Sequence, residues 1–277
     1  MLNKERFEEK YVGKIHCADC LELMKDWPDG CVDLVVTSPP YDKLRNYKGY
    51  SFDFESIAKQ LFRIIKIGSV VVWVVGDATV NGTETGTSFK QALYFMKIGF
   101  NLHDTMIYQK QFYVPLTHHR YEQEFEYMFV FTKGKLKTFN PIMIKTTLGG
   151  KKSTLTHRKT GEKPIKGTNY GELRKEKRII GNVWRIQPSR GSEHPAVFPE
   201  ELAVNHIKSW SNEGDIVIDP MCGSGTTPKM ASNLGRRYIG IDISEEYCQI
   251  ARDRLRAVDT GVPVKEARAG QGALFND

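Results

Sequence analysis

No stretch of this sequence is apolar for long enough to cross a bilayer; the most hydrophobic run, Val70–Val75, has the length of a strand. No apolar signal segment stands in the charged start Met1-Leu2-Asn3-Lys4-Glu5-Arg6. Cysteine is scarce and odd in number: Cys17, Cys20, Cys31, Cys222 and Cys248 show no framework spacing, which argues against a disulfide scaffold and for free thiols in a reducing compartment. Cys17-Ala18-Asp19-Cys20 lacks a second Cys or His pair, so no metal is expected. No Lys completes a G-x-x-x-x-G-K-[ST] loop, which excludes a P-loop nucleotide site. No internal repeat is present. These absences point to a cytoplasmic protein that does not engage a membrane.

What is present is ordinary in bulk and uneven in distribution. With 277 residues, 40% hydrophobic and 26% charged, the chain can bury a core and holds one large α/β domain with an insert, or two small domains. The net charge is +7. Between Lys133 and Ile180, fourteen Lys or Arg face three acids, a local net of +11 that leaves the rest of the chain at −4. A basic segment of this kind is the electrostatic footprint of phosphate binding.

Hydrophobic pattern gives the organisation. Cys31–Val36, Ser69–Val75, Asn101–Tyr108, Glu126–Phe131, Ile216–Ile218 and Tyr238–Ile241 read as strands. Phe54–Ile65, Ser88–Ile98, Pro199–Trp210, Thr227–Leu234 and Glu245–Val258 read as helices between them. Alternating strands and helices, with several strands apolar throughout, mean a doubly wound, mostly parallel sheet covered on both faces. The Lys-, Thr- and Gly-rich segment 133–182 breaks this pattern and reads as an insert, and 261–277 as a tail.

Two elements carry chemistry. The first is Asp219-Pro220-Met221-Cys222-Gly223-Ser224-Gly225-Thr226-Thr227, an apolar strand end, a small-residue turn and a helix start. Its glycines permit close backbone approach, and helix N-terminal amides suit a polar or anionic group. Asp242 ends the next apolar run, where an acid can accept from ribose hydroxyls. Two acids around one such turn fit a nucleoside cofactor. The second is Thr37-Ser38-Pro39-Pro40-Tyr41, directly after a buried strand. Two prolines remove backbone donors and leave acceptors, the Ser38 hydroxyl and the carbonyls. An amino group held there by both hydrogens would turn its lone pair outward, and Tyr41 offers a face for a base to stack on.

In this order and spacing, the two elements resemble the amino-methyltransferases of DNA, and catalytic Pro-Pro-Tyr first with cofactor glycines last resembles their circularly permuted β group. The resemblance runs from about Lys14 to Arg254. It implies a seven-stranded, Rossmann-like fold dependent on S-adenosyl-L-methionine. In it Asp19 contacts the cofactor adenine, and Thr37, Asp219, Pro220, Met221, Gly223, Ser224, Gly225, Thr226 and Asp242 build the cofactor site. His194-Pro195-Ala196-Val197-Phe198-Pro199 resembles the segment that closes over the methionine end, which brings in His194 and Phe198. Met221 departs from the aromatic residue usual after Asp-Pro and loosens the expected packing there.

Ser38, Pro39, Pro40 and Tyr41 would be catalytic. Residues 1–132 would form the catalytic half, 133–182 the target-recognition insert and 183–260 the cofactor half. The implied reaction is direct methyl transfer to an exocyclic amino nitrogen of a flipped base in double-stranded DNA. Carbon-5 methylation of cytosine goes with a Pro-Cys nucleophile, and this chain has no Pro-Cys dipeptide. In the family, Ser-Pro-Pro-Tyr goes mostly with cytosine N4, so Ser38 favours cytosine; adenine N6 is the alternative. An RNA substrate and a non-catalytic DNA-binding module are remoter readings. A homodimer and a cognate restriction endonuclease are compatible partners.

Overall fold

A computed structural model describes residues 2–40, 52–111, 120–147, 149–154, 156–157, 165–166, 172–188 and 198–261. The chain opens with α1 (Lys4–Tyr11), β1 (Lys14–Cys17), α2 (Cys20–Met24), β2 (Val32–Thr37), α3 (Phe54–Ile64) and β3 (Ile65–Val75). A short hairpin of β4 (Thr79–Val80) and β5 (Thr83–Glu84) precedes α4 (Thr87–Lys97), β6 (Asn101–Lys110) and β7 (Phe125–Thr132). Four short strands follow, β8 (Met143–Lys145), β9 (Thr156–His157), β10 (Ile165–Lys166) and β11 (Lys177–Ile179). The chain then returns through β12 (Val183–Ile186), α5 (Glu200–Trp210), β13 (Ile216–Asp219), α6 (Thr226–Asn233), β14 (Arg237–Asp242) and α7 (Glu245–Thr260). Among the described residues no helix is long and apolar enough to cross a membrane.

Eight strands form one sheet in the order β1-β14-β13-β2-β3-β7-β6-β12. Neighbours pair in parallel except on the two sides of β7, which is antiparallel to both β3 and β6. The doubly wound, mostly parallel sheet is therefore present, with β2, which leads into Ser38-Pro39-Pro40, preceding β13, which leads into the glycine turn. It carries one strand more than the expected seven. That strand is β12, parallel to β6 in the register Val183↔Ile107 to Ile186↔Lys110. It lies at a sheet edge, and its alternation is clean: Trp184 and Ile186 are buried, Val183 and Arg185 exposed.

The central strands are buried on both faces. All of Val70–Val75 lies inside, and β-branched side chains suit that position. On one face Phe7, Trp27, Ile57, Leu61, Trp73, Phe95 and Phe131 share a core, which joins α1, α3 and α4 to the sheet. On the other face α5, α6 and α7 pack, α5 against β2 and β3, α7 against β1 and β14. Local signals start the helices: Asn3 caps α1 at Arg6, Asp53 caps α3 at Ser56, and Ser244 caps α7 at Tyr247.

Residues 1–140 and 182–277 form one compact unit, and Pro141–Gly181 a second. The second unit begins at Pro141 and not at Lys133, because 133–140 is tied to the sheet unit. Lys133 Nζ donates to the Ile65 carbonyl at 3.1 Å and sits over the Phe62 ring, Lys137 N donates to Gly68 O, and Asn140 N to Ser209 O. The second unit is an antiparallel ribbon. β8 pairs with β11 and β9 with β10, and between them Gly150 N donates to Arg174 O and Ser153 N to Glu172 O.

Candidate active site

Topology places the two chemical elements side by side. β13 and β2 are parallel neighbours, with Val217 opposite Leu34 and Ile218 opposite Val35. From β13 the chain crosses through α6 to β14 on one side, and from β2 through α3 to β3 on the other. Connections diverging from adjacent strands open a crevice at the carboxyl edge, where ligands bind in open α/β sheets. The glycine turn leaves the end of β13, and Ser38-Pro39-Pro40 leaves the end of β2.

Asp219, the last residue of β13, is buried. Its Oδ1 accepts from Thr37 Oγ1 at 2.7 Å and from Met221 N at 3.1 Å. Burial pushes the carboxyl up to about 7, against donation from Thr37, Met221 and Thr227, and the neighbouring Asp242 charge adds to the rise. Thr37 has no exposed surface, so its place in the site is behind Asp219. Thr227 Oγ1, in the first turn of α6, donates to the Val36 carbonyl of β2 at 3.2 Å.

The turn itself is closed by Gly225 N donating to Cys222 O at 2.8 Å, with Gly223 at φ 49 and Gly225 at φ 77. Gly225 is required twice over: a Cβ there would lie 2.6 Å from Ala251 Cβ, and its φ is left-handed. It stands at the N-cap of α6, where no side chain caps the helix. Ser224 and Thr226 are buried on the side facing α7, and Pro220 is buried behind the turn. Met221 is half-buried and packs against the main core.

Asp242 ends β14. Its Oδ2 accepts from Gly223 N at 2.8 Å and its Oδ1 from Ser244 N at 2.9 Å, so it links the glycine turn to the start of α7. Asp19 follows β1, one strand further out, where Ala18 N donates to Asp242 O. Its exposed carboxylate caps α2 through Leu21 N and Glu22 N. Ser38 and Pro40 are half-buried and Pro39 buried. Phe198 is half-buried just before Pro199, the N-cap of α5. Tyr41 and His194 lie outside the described residues. Asp219, Asp242, Asp19, the glycine turn and Ser38–Pro40 are thus brought to one edge of the sheet.

Sequence reasoning did not single out Arg254. It lies on α7 and donates to Ser224 O and Ser224 Oγ, a relation across the fold that no local motif signals. Four of the cysteines are buried and Cys17 is exposed, and burial pushes Cys20 up to about 12. Trp184, on β12, packs its ring 4.7 Å from that of His206.

The donor set suits a nucleoside that carries a cation. Carboxylates at two strand ends can accept from hydroxyls and an amino group, a tight glycine turn lets backbone come close, and a cation would compensate a buried Asp219 carboxylate. Such a site, beside a Pro-Pro turn rich in acceptors, defines the class of S-adenosylmethionine-dependent amino-methyltransferases.

The sequence profile of the N6/N4 DNA methylases matches residues 32–253, and the chain belongs to that family: it is a DNA methyltransferase that uses S-adenosylmethionine. The orphan methyltransferase M.BamHII of Bacillus amyloliquefaciens is 52% identical over 238 residues, covering 82% of this chain and 90% of that one. TTHA0409 of Thermus thermophilus, assigned as a DNA modification methylase and solved with S-adenosyl-L-methionine, superposes with a TM-score of 0.59 at 25% identity. The match covers 87% of this chain and 92% of that one. The cytosine-N4-specific PvuII DNA methyltransferase shares the fold, with a TM-score of 0.66 at 20% identity over 88% of this chain and 89% of that one.

Proposed function

We propose that this enzyme transfers a methyl group to the N4 amino nitrogen of cytosine in double-stranded DNA. The observation that carries this reading is the placement of Ser38-Pro39-Pro40 at the end of β2, beside the cofactor turn at the end of β13. S-adenosylmethionine supplies an electrophilic methyl group when bound. Asp219 would face its cationic methionine end, Asp242 would accept from the ribose, and Asp19 would accept from the adenine amino group. Gly223, Ser224, Gly225 and Thr226 give the turn its shape, Pro220 and Met221 support it, and Phe198 and His194 would close over the methionine end.

The target base leaves the duplex at a cost of a few kcal/mol, part of which stacking on Tyr41 offsets. The Ser38 hydroxyl and the Pro39 carbonyl accept from the two amino hydrogens. That would fix the amino group and raise the electron density of its nitrogen, whose lone pair would form the new N–C bond as the sulfonium S–C bond breaks, with S-adenosylhomocysteine leaving and the amino proton passing to solvent. Holding both reactants in line supplies most of the rate.

The ribbon of Pro141–Gly181 is the DNA-contacting part in this reading. Lys145, Lys151, Lys152, Lys175, Lys177 and Arg178 are all exposed on it, and a two-stranded ribbon fits the major groove of B-form DNA. A name of "orphan" on M.BamHII supports an enzyme that acts without a cognate endonuclease.

Expression in a host without DNA methylation, followed by nucleoside mass spectrometry of the plasmid, tests the proposal. N4-methylcytosine is the expected product. N6-methyladenine would keep the enzyme class and overturn the assignment of base from Ser38. Absence of both, from a protein that binds S-adenosylmethionine, would favour an RNA substrate or a non-catalytic module.

A further inference from the structure

Arg254 lies outside every motif that the sequence presents, yet it grips the cofactor turn from behind. Its Nη1 donates to the Ser224 carbonyl at 2.7 Å, with Ser224 Oγ at 3.0 Å and Thr226 Oγ1 at 3.3 Å. Its Nη2 donates to Glu200 Oε1 at 2.8 Å. The same Glu200 oxygen accepts from Lys229 Nζ at 2.8 Å. Glu200 opens α5, Lys229 lies on α6 and Arg254 on α7, so three helices meet on one carboxylate behind the glycine turn.

A guanidinium beside the N-terminus of α6 is electrostatically out of place, because that end of a helix already carries partial positive charge. Glu200 compensates for it. Burial raises the Glu200 carboxyl, but hydrogen bonds and charge from Lys229 and Arg254 outweigh that and hold it below its usual range. Helix stability alone does not call for an arginine at this spot.

The geometry of one peptide supplies the reason. The Ser224–Gly225 peptide is held at both ends, its carbonyl by Arg254 and its N–H by the Cys222 carbonyl at 2.8 Å. Gly225, at φ 77, has no Cβ to restrict rotation of that peptide. Without the guanidinium, the carbonyl end of the peptide loses its partner, and the turn can relax into other conformers.

We infer that Arg254, oriented by Glu200, is a positioning residue for the cofactor: it fixes the Ser224–Gly225 peptide so that the turn is preformed before the ligand arrives. A turn that is already ordered binds more tightly, because less freedom is lost on binding. The effect belongs to cofactor affinity and leaves the chemical step alone.

The test uses the full chain with Arg254→Met, Arg254→Lys and Glu200→Gln. Calorimetry gives Kd for S-adenosylmethionine and for S-adenosylhomocysteine, steady-state kinetics on plasmid DNA give kcat and the DNA KM, and amide exchange reports on residues 223–227. Arg254→Met should raise both Kd values by ~10–100-fold, as expected for losing charge-assisted hydrogen bonds. The kcat at saturating cofactor and the DNA KM should stay within about twofold. Exchange in the turn should quicken without ligand, and Arg254→Lys should recover part of the affinity.

Unchanged Kd in folded Arg254→Met overturns the inference, and so does a parallel loss of cofactor and DNA binding, which marks a general loosening. Should Arg254→Met not fold, the other two variants decide: a Kd rise of at least about threefold in both, at constant kcat, supports the inference, and no rise overturns it. A wild-type protein that binds no S-adenosylmethionine would instead count against the cofactor assignment on which this rests.

Discussion

Thr37 Oγ1 donates to Asp219 Oδ1 at 2.7 Å, and so joins residues 182 positions apart at the ends of two adjacent parallel strands. Thr37 is the last residue of β2 and Asp219 the last of β13. The bond sets the spacing between the place where a base amino group would be held and the place where the methyl donor would lie. Each strand is also fixed in the sheet by its parallel neighbours.

This relation makes Thr37→Val informative. Valine fills the same space and removes the donor, which leaves a buried carboxylate short of one partner. Loss of about 1–3 kcal/mol of stability is expected. Affinity for S-adenosylmethionine should fall with it, since Asp219 is then less well held. Denaturant midpoints and calorimetric Kd values measure both. A variant as stable as wild type, with the same Kd, would show that the bond has no energetic weight.

Asp219 predicts a pH dependence whose sign can be worked out. Burial raises the folded-state acid to about 7, with the Asp242 charge adding to the rise and Thr37, Met221 N and Thr227 opposing it. A raised carboxyl acid favours the folded state fully below its unfolded value of about 4, and that contribution is lost as pH rises through about 7. A cationic ligand reverses the preference, because it stabilises the carboxylate. Affinity for S-adenosylmethionine should therefore strengthen between about pH 5.5 and 7.5, by up to about tenfold per unit on the acid side. Asp219→Asn should bind more weakly and lose this slope. A flat profile in the wild type would mean that Asp219 is already ionised, or that the ligand does not sense it.

The parts of the molecule that sequence makes legible are those whose physics is local. The apolar run Val70–Val75 is central because it is β-branched and uncharged, and Gly223-Ser224-Gly225 between a strand and a helix can only be a tight turn. The short β1 and α2 escape notice, since four and five residues are too few to show a period. β12 is masked by its basic neighbours, although its alternation of buried Trp184 and Ile186 with exposed Val183 and Arg185 is that of a strand. The true limit of the insert is set by Lys133, Lys137 and Asn140, each bound to the backbone of a distant element. Arg254 sits in a polar helix, and its partners 30 and 54 positions away become visible only in the fold.

Ser38 and Tyr41 should separate chemistry from cofactor binding. Tyr41→Ala removes the stacking face proposed for the flipped base, worth about 1–3 kcal/mol, so kcat/KM for DNA should drop by ~10–100-fold. Ser38→Ala removes one acceptor of the amino hydrogens and should lower kcat by a comparable factor. Neither change should alter Kd for S-adenosylmethionine by more than about twofold. Single-turnover methylation with tritiated cofactor and calorimetry separate the two quantities. Normal turnover in Tyr41→Ala would remove the stacking role.

The ribbon of Pro141–Gly181 gives the last prediction, and it rests on charge and salt. Lys145, Lys151, Lys152 and Lys177 are exposed on it, whereas the cofactor turn belongs to the sheet unit. If their ammonium groups meet phosphates, binding releases condensed counterions, and log K falls linearly with log salt at about 0.9 per neutralised phosphate. Neutralising the four to Gln should weaken DNA binding, most strongly at low salt, and flatten that line by about one unit for each phosphate no longer engaged. Cofactor affinity should be untouched, because the glycine turn is built entirely within the sheet unit. Fluorescence anisotropy on duplex DNA across a salt series measures the slope. A parallel shift of the line with the slope preserved would assign these lysines to folding of the ribbon, and an unchanged line would place the DNA on another surface of the enzyme.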